Sequence, residues 1–236
     1  MEKWQDPSLS LGERCIAFAE NEMNNNVAED HKGSYTSPRI KEYFSICTRS
    51  INGKDVPIGI SAGNWCAAAQ SFCLKNSLLP NESQPHGFHV GVVEIQVDLE
   101  KNQLWKDISK VKQGQYPITK GDVVIFTRAN PSNPDSTWWR HIGRVYSVDS
   151  DTTFKVISGN SGGHWQIGNC NLSQANLLGF GAYPSLTPTT QKAIYNFPTI
   201  DINKVNNLTD AELAPKIESG DPTSIFFNLY DQFFKE

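Results

Sequence analysis

The sequence has no long apolar run, no cluster of basic residues and no internal repeat. No stretch approaches the roughly 20 apolar residues that cross a membrane as a helix, so we expect no membrane span. The net charge is -4 and the basic residues are dispersed, which argues against a nucleic-acid partner. The composition, 38% hydrophobic and 19% charged over 236 residues, is that of an ordinary folded protein.

The first seven residues also lack the basic-then-apolar pattern of a secretory signal peptide. We therefore expect the protein to be made in the cytoplasm without a classical signal. If it acts outside its cell of origin, it must leave by a route other than general export, or by cell lysis.

The cysteine pattern argues against two common structural roles. The five cysteines are an odd number, and their spacing fits no zinc motif of the C-x2-C kind. Two of them lie seven positions apart on one predicted helix, which is too far for a disulfide. We expect reduced thiols at Cys15, Cys47, Cys66, Cys73 and Cys170.

Helix signals dominate the first third of the chain. Residues 10–13, Ser-Leu-Gly-Glu, form a capping-box pattern that predicts a helix start. A second helix is predicted over residues 38–49 and a third over residues 64–77. Three consecutive alanines in the third helix would allow it to approach a sheet closely.

Strand signals follow the helices. Apolar and polar residues alternate from Val93 to Leu99, which predicts a half-buried strand. A Gly-Asp turn at 121–122 leads into an apolar strand over 123–126. Two more strand patterns begin at His141 and Phe154, separated by residues suited to a hairpin turn. Helices followed by an antiparallel meander predict an α+β domain.

The composition changes near residue 184. We assign residues 1–184 to one catalytic-type domain and residues 185–236 to a C-terminal extension. The extension begins with a proline-rich stretch and carries two short predicted helices. We expect the last helix to pack on the domain through its aromatic side chains, which are Phe226, Phe227, Tyr230, Phe233 and Phe234.

Three polar residues at the ends of predicted elements suggest a reactive site. Cys66 stands at a predicted helix start, where free backbone N–H groups and a nearby imidazole would lower the pKa of its thiol. His141 opens a strand 75 positions later, and Asn160 ends the next strand 19 positions further on. Either a lone cysteine or a lone histidine would most simply be structural. Together they predict a nucleophile, a base and an orienting group.

Four segments in this order resemble the CHAP-type and NlpC-type cysteine peptidases. The resemblance covers roughly residues 10–183 and leaves the C-terminal quarter unexplained. The matching segments are Trp65-Cys66-Ala67 with the preceding Ile40–Tyr43 helix, Gly121-Asp122 with the strand after it, His141–Tyr146, and Ser158-Gly159-Asn160.

This resemblance implies a papain-like α+β fold, with N-terminal helices packed on a small antiparallel sheet that forms a partly open barrel. It also implies cleavage of amide bonds in bacterial peptidoglycan. Cys66 would be the nucleophile, His141 the general base and then acid, and Asn160 the residue that orients the imidazole. The implied chemistry needs no metal or other cofactor.

One residue departs from the family pattern. Ser158 stands where many CHAP members carry glutamate, and a hydroxyl can orient an imidazolium but cannot neutralise its charge. Either Asn160 orients the ring, as in papain-like enzymes, or the site is weakened or lost. The backbone N–H of Cys66 is the expected first donor to an oxyanion, and the Asn64 side chain is a second candidate.

Other chemistry-bearing residues have weaker patterns. His86 and His89 are three apart, but no carboxylate or cysteine pair nearby completes a metal site, so we expect a structural role. The tryptophans near the predicted site fit a substrate groove and a hydrophobic core equally well. These are Trp65, Trp138, Trp139 and Trp165.

The leading functional hypothesis is a peptidoglycan hydrolase, either an N-acetylmuramoyl-L-alanine amidase or a peptide endopeptidase. Such a protein would be a phage lysin or tail enzyme, or an antibacterial effector that acts at the cell wall or in the periplasm. Its partners would be peptidoglycan, delivery machinery and, for an effector, an immunity protein. Two alternatives remain: an acyltransferase or deamidase toxin acting on a host protein, and an inactive binding protein on the same scaffold.

Overall fold

The computed structural model describes residues 2–31, 37–51, 54–57, 64–128 and 140–183. Within these ranges the chain forms one 3₁₀ turn, five α-helices and eight β-strands. The predicted extension at 185–236 and two of the four tryptophans considered above, Trp138 and Trp139, lie outside the described residues.

The predicted start of the first helix is confirmed. The Ser10 hydroxyl accepts from the Glu13 N–H at 3.3 Å, and the Glu13 carboxylate accepts from the Ser10 N–H at 3.2 Å, which completes the capping box. No helix in the described ranges is long and apolar enough to span a membrane. The helices are α1 (Leu11–Asn24), α2 (Pro38–Ser45), α3 (Cys66–Ser77), α4 (Val92–Lys101) and α5 (Ile108–Lys112), after a 3₁₀ turn at Lys3–Gln5.

The strands confirm the predicted α+β class. The short hairpin is formed by β1 (Thr48–Ile51) and β2 (Lys54–Pro57). The six-stranded antiparallel sheet has the order β3-β8-β4-β5-β6-β7, and β3 and β7 are its edges, so it is not a closed barrel. Its strands are β3 (Trp105–Asp107), β4 (Val123–Thr127), β5 (Arg140–Val148), β6 (Thr153–Ser161), β7 (His164–Asn171) and β8 (Leu177–Gly181).

The strand predicted from Val93 to Leu99 is wrong, because this segment is helix α4. The residues that α4 buries are Val92, Ile95 and Leu99, which are spaced three and four apart as on one helical face. Val97, which belongs to the apolar set of the predicted strand, is 38% exposed. The apparent alternation therefore arises from a helical pattern that shares several apolar positions with a strand pattern.

Small residues bring α3 close to the sheet. Ala67, Ala68 and Ala69 are fully buried on α3, which packs against β5 and β6. Gly159 on β6 faces this helix, and a Cβ atom there would lie 2.5 Å from the Trp65 ring and 3.0 Å from the Ala69 Cβ. The close approach expected from the three alanines is confirmed, and it places the start of α3 against the middle strands of the sheet.

Candidate active site

Cys66 is the first residue of α3, as the sequence predicts, and it is 1% exposed. The backbone N–H groups of Ile142, Ala67 and Cys66 itself act to lower the pKa of its thiol. The last two belong to the start of α3, where N–H groups have no partner within the helix. These N–H groups therefore favour a negative charge on sulfur.

Burial outweighs these donors. Desolvation raises the pKa of the Cys66 thiol, although the Ile142 N–H and the positive charge of Arg128 act to lower it. The lowered pKa expected from the helix start is therefore wrong for the described structure, which favours the neutral thiol. The sequence pattern shows the helix start, but it does not show how completely the side chain is removed from water.

His141 lies near the beginning of β5, where it pairs with Phe126 of β4. Its Nε2 is 3.3 Å from the Ser161 hydroxyl. Its Nδ1 is shielded from solvent and has no hydrogen-bond partner in the described part of the chain. Burial, followed by the positive charge of Arg128, lowers the pKa of His141 to about 4, so the ring is neutral at neutral pH.

The fold places the strand that carries the predicted base against the helix that begins at the predicted nucleophile. The backbone N–H of Ile142, the residue directly after His141, acts to lower the pKa of the Cys66 thiol. Helix α3 packs on β5, which carries both His141 and Ile142. Two residues 75 positions apart in the sequence thus lie on elements that pack together.

Asn160 is close to the start of α3. The pairing of β5 with β6 sets Arg144 opposite Ile157, and continuing that register would set His141 opposite Asn160. The ladder stops before this point, however, and Asn160 adopts a positive φ of 59°. Its amide is consequently directed to other partners than the imidazole.

Those partners decide which way the amide is turned. The Trp65 N–H can only donate and the Glu29 carboxylate accepts, so the Asn160 oxygen accepts from Trp65 N at 3.2 Å and its nitrogen donates to Glu29 Oε1 at 3.2 Å. Asn160 is therefore hydrogen-bonded to the backbone of Trp65, the residue that precedes Cys66. The described contacts of Asn160 do not include His141.

Asn64 and Arg128 complete the polar side of this site. The side-chain amides of Asn64 and Asn160 are 3.2 Å apart, and an Arg128 Nη1 lies 3.4 Å from the Asn64 amide. No described carboxylate forms an ion pair with Arg128. Arg128 was not predicted from the sequence, where its one available signal was its position directly after the apolar strand β4. The role of Asn64 as an oxyanion donor stays a prediction.

Ser158 is close to the imidazole, but a second serine lies between them. The Ser158 and Ser161 hydroxyl oxygens are 2.8 Å apart, and Ser161 is the one that reaches His141. Ser161 was not among the residues that the sequence pattern indicated.

Trp65 and Trp165 are core residues in this structure. They are 0% and 4% exposed, and their rings pack edge to face with centroids 6.2 Å apart. The Trp65 Nε1–H donates to Glu29 at 3.0 Å, and the Trp165 Nε1–H donates to the Tyr43 hydroxyl at 3.1 Å. Both rings therefore support the start of α3 from inside, and neither is open to a ligand as a groove would require.

His86 and His89 have structural partners. The His86 ring contacts the Gly87 carbonyl and the Tyr183 hydroxyl, and the His89 Nε2 lies 2.7 Å from an Asp98 carboxylate oxygen. In the part of the chain that is described, no group of three or more histidine, cysteine or acidic side chains could hold a metal ion. All five cysteines are free thiols, as expected from the sequence.

A scan against protein-family models finds no match to this chain, and a search of curated proteins finds no matching relative. The family resemblance therefore rests on the motif residues alone. Any function has to be argued from the neighbourhood of Cys66 and His141.

Proposed function

We propose that this protein is a papain-like cysteine hydrolase that cleaves an amide bond with Cys66 as nucleophile and His141 as base. The observation that supports this most directly is the packing of α3, which begins at Cys66, on β5, which carries the histidine. A cysteine at a helix start beside a histidine on a neighbouring strand is the arrangement that papain-like hydrolases use.

In the proposed reaction both groups begin neutral, since burial disfavours both the thiolate and the imidazolium. The sulfur attacks the amide carbon while the thiol proton moves to Nδ1 of His141. Backbone N–H groups at the start of α3 stabilise the oxyanion. The imidazolium then gives its proton to the departing amine, and water hydrolyses the thioester with His141 again acting as base.

For the substrate we propose bacterial peptidoglycan, cut either at the muramoyl-alanine amide or within the peptide. This choice rests on the resemblance to CHAP-type and NlpC-type enzymes. The protein would then be a phage lysin, a tail enzyme or an antibacterial effector delivered to the cell wall, with an immunity protein as a further partner of an effector.

The test is digestion of purified sacculi with the full chain, followed by mass spectrometry of the released fragments. Wild-type protein should release fragments with new amino groups, and Cys66→Ala should release none. Cys73→Ala is the matched control, because Cys73 is also a buried thiol on α3 but lies two turns away from the site. Equal activity in wild type and Cys66→Ala would overturn the proposal.

A non-catalytic binding protein is the second candidate, and the raised pKa of Cys66 is the observation that favours it. A thiol with a raised pKa reacts slowly with alkylating reagents at neutral pH. Selective alkylation of Cys66 below pH 7, at a rate above that of Cys73, would support the enzyme. Equally slow labelling of both thiols, together with intact sacculi, would support the binding protein.

A further inference from the structure

The imidazole of His141 is in contact with a pair of hydroxyl groups. Nε2 is 3.3 Å from the Ser161 oxygen, which in turn is 2.8 Å from the Ser158 oxygen. Ser158 is 5% exposed, so the second hydroxyl is shielded from water. No described carboxylate is bonded to the ring. The group that orients His141 is therefore a short hydroxyl chain.

A strand irregularity makes this chain possible. Residues three apart on a regular strand point to opposite faces of the sheet. Against β7, however, Ser158 pairs with Gln166 and Ser161 with His164, so β6 uses one residue more than its partner over this stretch. The positive φ of Asn160 falls within the same stretch. This bulge turns both serines to the same side, where their hydroxyls meet.

The hydrogen-bond directions follow from what each group can do. For Nδ1 to accept the thiol proton it must be unprotonated, so the neutral ring must carry its hydrogen on Nε2. The Nε2–H then donates to Ser161, and the Ser161 hydroxyl donates to Ser158. The Nδ1 atom, which is shielded and without a described partner, is then left with a free lone pair.

We propose that Ser161, backed by Ser158, is the positioning residue that holds His141 in the Nε2–H tautomer with Nδ1 free to act as base. This inference rests on the proposed hydrolase function. It assigns to a hydroxyl pair the place that a carboxylate takes in many CHAP members, and it leaves Asn160 to hold the start of α3. A hydroxyl pair fixes the ring without supplying a negative charge.

The first test is the tautomer of His141 in the full chain, read from ¹⁵N chemical shifts of histidine-labelled protein. The chain has five histidines, and the spectrum of His141→Gln assigns the signal. Wild type should show the Nε2–H form, and Ser161→Ala a mixture of both forms. Ser161→Thr, which keeps the hydroxyl, should restore the wild-type signal. A wild-type Nδ1–H tautomer, or no change in Ser161→Ala, would overturn the proposal.

Turnover of sacculi gives a second reading. Loss of one hydrogen bond to the ring should lower kcat about tenfold in Ser161→Ala with KM unchanged, and less in Ser158→Ala. Exposed Ser173 on the turn after β7 is the control, and Ser173→Ala should leave kcat unchanged. An equal kcat in Ser161→Ala and wild type would overturn the positioning role while leaving the hydrolase in place. Absence of hydrolysis by wild type would overturn the hydrolase, and the tautomer would still report on Ser161.

Ser161→Asp supplies an independent test if the alanine variant fails to fold. A carboxylate at this position would favour the imidazolium, against the burial and the Arg128 charge that now act on the ring. The NMR titration midpoint of His141 should therefore move to higher pH than in wild type. An unchanged midpoint in a folded Ser161→Asp protein would show that residue 161 does not contact the ring.

Discussion

Two histidines in this molecule have similar acidities but different surroundings. Burial lowers the pKa of both His86 and His141 to about 4. His86 belongs to the loop between α3 and α4, and His141 to strand β5. Their pKa values alone would therefore assign the same role to both histidines.

The hydrogen bonds separate them. At His86 the Nδ1 must donate to the Gly87 carbonyl at 2.7 Å, because a carbonyl only accepts, and the Nε2 then accepts from the Tyr183 hydroxyl at 2.6 Å. Both nitrogens are used and the neutral tautomer is fixed. At His141 the Ser161 contact uses one nitrogen, and Nδ1 has no partner among the described residues.

The comparison shows that a depressed pKa reports burial before it reports function. His86 uses both ring nitrogens in hydrogen bonds that hold the fold, whereas a base needs a free lone pair directed at its substrate or nucleophile. Of these two residues, only His141 has a nitrogen without a described partner. The Nδ1 of His89 also lacks a partner in the described ranges, but its Nε2 faces the Asp98 carboxylate. The difference between His86 and His141 predicts distinct effects of substituting the two residues.

The largest expected effect is on catalysis. His141→Ala should lower hydrolysis of sacculi by about a thousandfold or more, because the base and later acid is removed. His86→Gln should leave kcat within a few-fold of wild type, since its ring nitrogens already hold structural partners. The assay is fragment release per folded protein. A comparable loss in both variants would show that the free nitrogen does not identify the base.

The second effect concerns stability, and here the loss should be larger on substitution of His86 than on substitution of His141. His86→Ala leaves the Gly87 carbonyl and the Tyr183 hydroxyl without buried partners, which should cost about 2–3 kcal/mol of unfolding free energy. His141→Ala should cost clearly less, because it breaks only the contact with Ser161. Urea unfolding measures both values. Exposed His164 provides the control, and a larger loss at His141 than at His86 would contradict the comparison.

The third effect is the pH dependence of that stability. His86 binds its proton with a pKa of about 4 in the folded chain, against 6.5 for an unperturbed histidine, so the unfolded chain takes up more protons as the pH falls. The contribution of His86 to the unfolding free energy is fully present above pH 6.5. About 3 kcal/mol of unfolding free energy is lost as the pH falls from 6.5 to 4.

Asp122 has the opposite pH dependence, because burial raises its pKa to about 7 and its contribution falls as the pH rises. A comparison of wild type with His86→Gln at several pH values cancels this term, which is common to both. The difference in their unfolding free energies should shrink from pH 7 to pH 4. A difference that stays constant with pH would show that His86 binds a proton as readily in the folded chain as in the unfolded chain.

Short-range chemistry made part of the fold predictable. The capping box at Ser10, the helix start at Cys66 and the turn between β5 and β6 each depend on a few adjacent residues, and all three are confirmed. The segment of α4 was predicted as a strand because Ile95 and Leu99, four apart, satisfy both a helical and an alternating pattern. Tertiary burial of one helical face decides between the two.

The site was predictable only in its order along the chain. The positions of Cys66 and His141 at element ends follow from local patterns, whereas the raised pKa of the thiol follows from burial that no local pattern shows. Ser161 was missed for a similar reason. It shares a side with Ser158 only because β6 contains an extra residue, and the regular alternation of a strand predicts the opposite.

The smallest expected effect is that of removing metals. If His86 and His89 were ligands, chelation would change activity or stability. In the structure, however, the His86 nitrogens are hydrogen-bonded to Gly87 and Tyr183, and the His89 Nε2 is hydrogen-bonded to Asp98. Incubation with EDTA should therefore leave the unfolding midpoint and the hydrolysis of sacculi unchanged, and added zinc should not alter either value. Loss of activity in EDTA that zinc restores in wild type, but not in His86→Gln, would move the reactive centre to this loop. It would also make the unpartnered Nδ1 of His141 a consequence of packing alone.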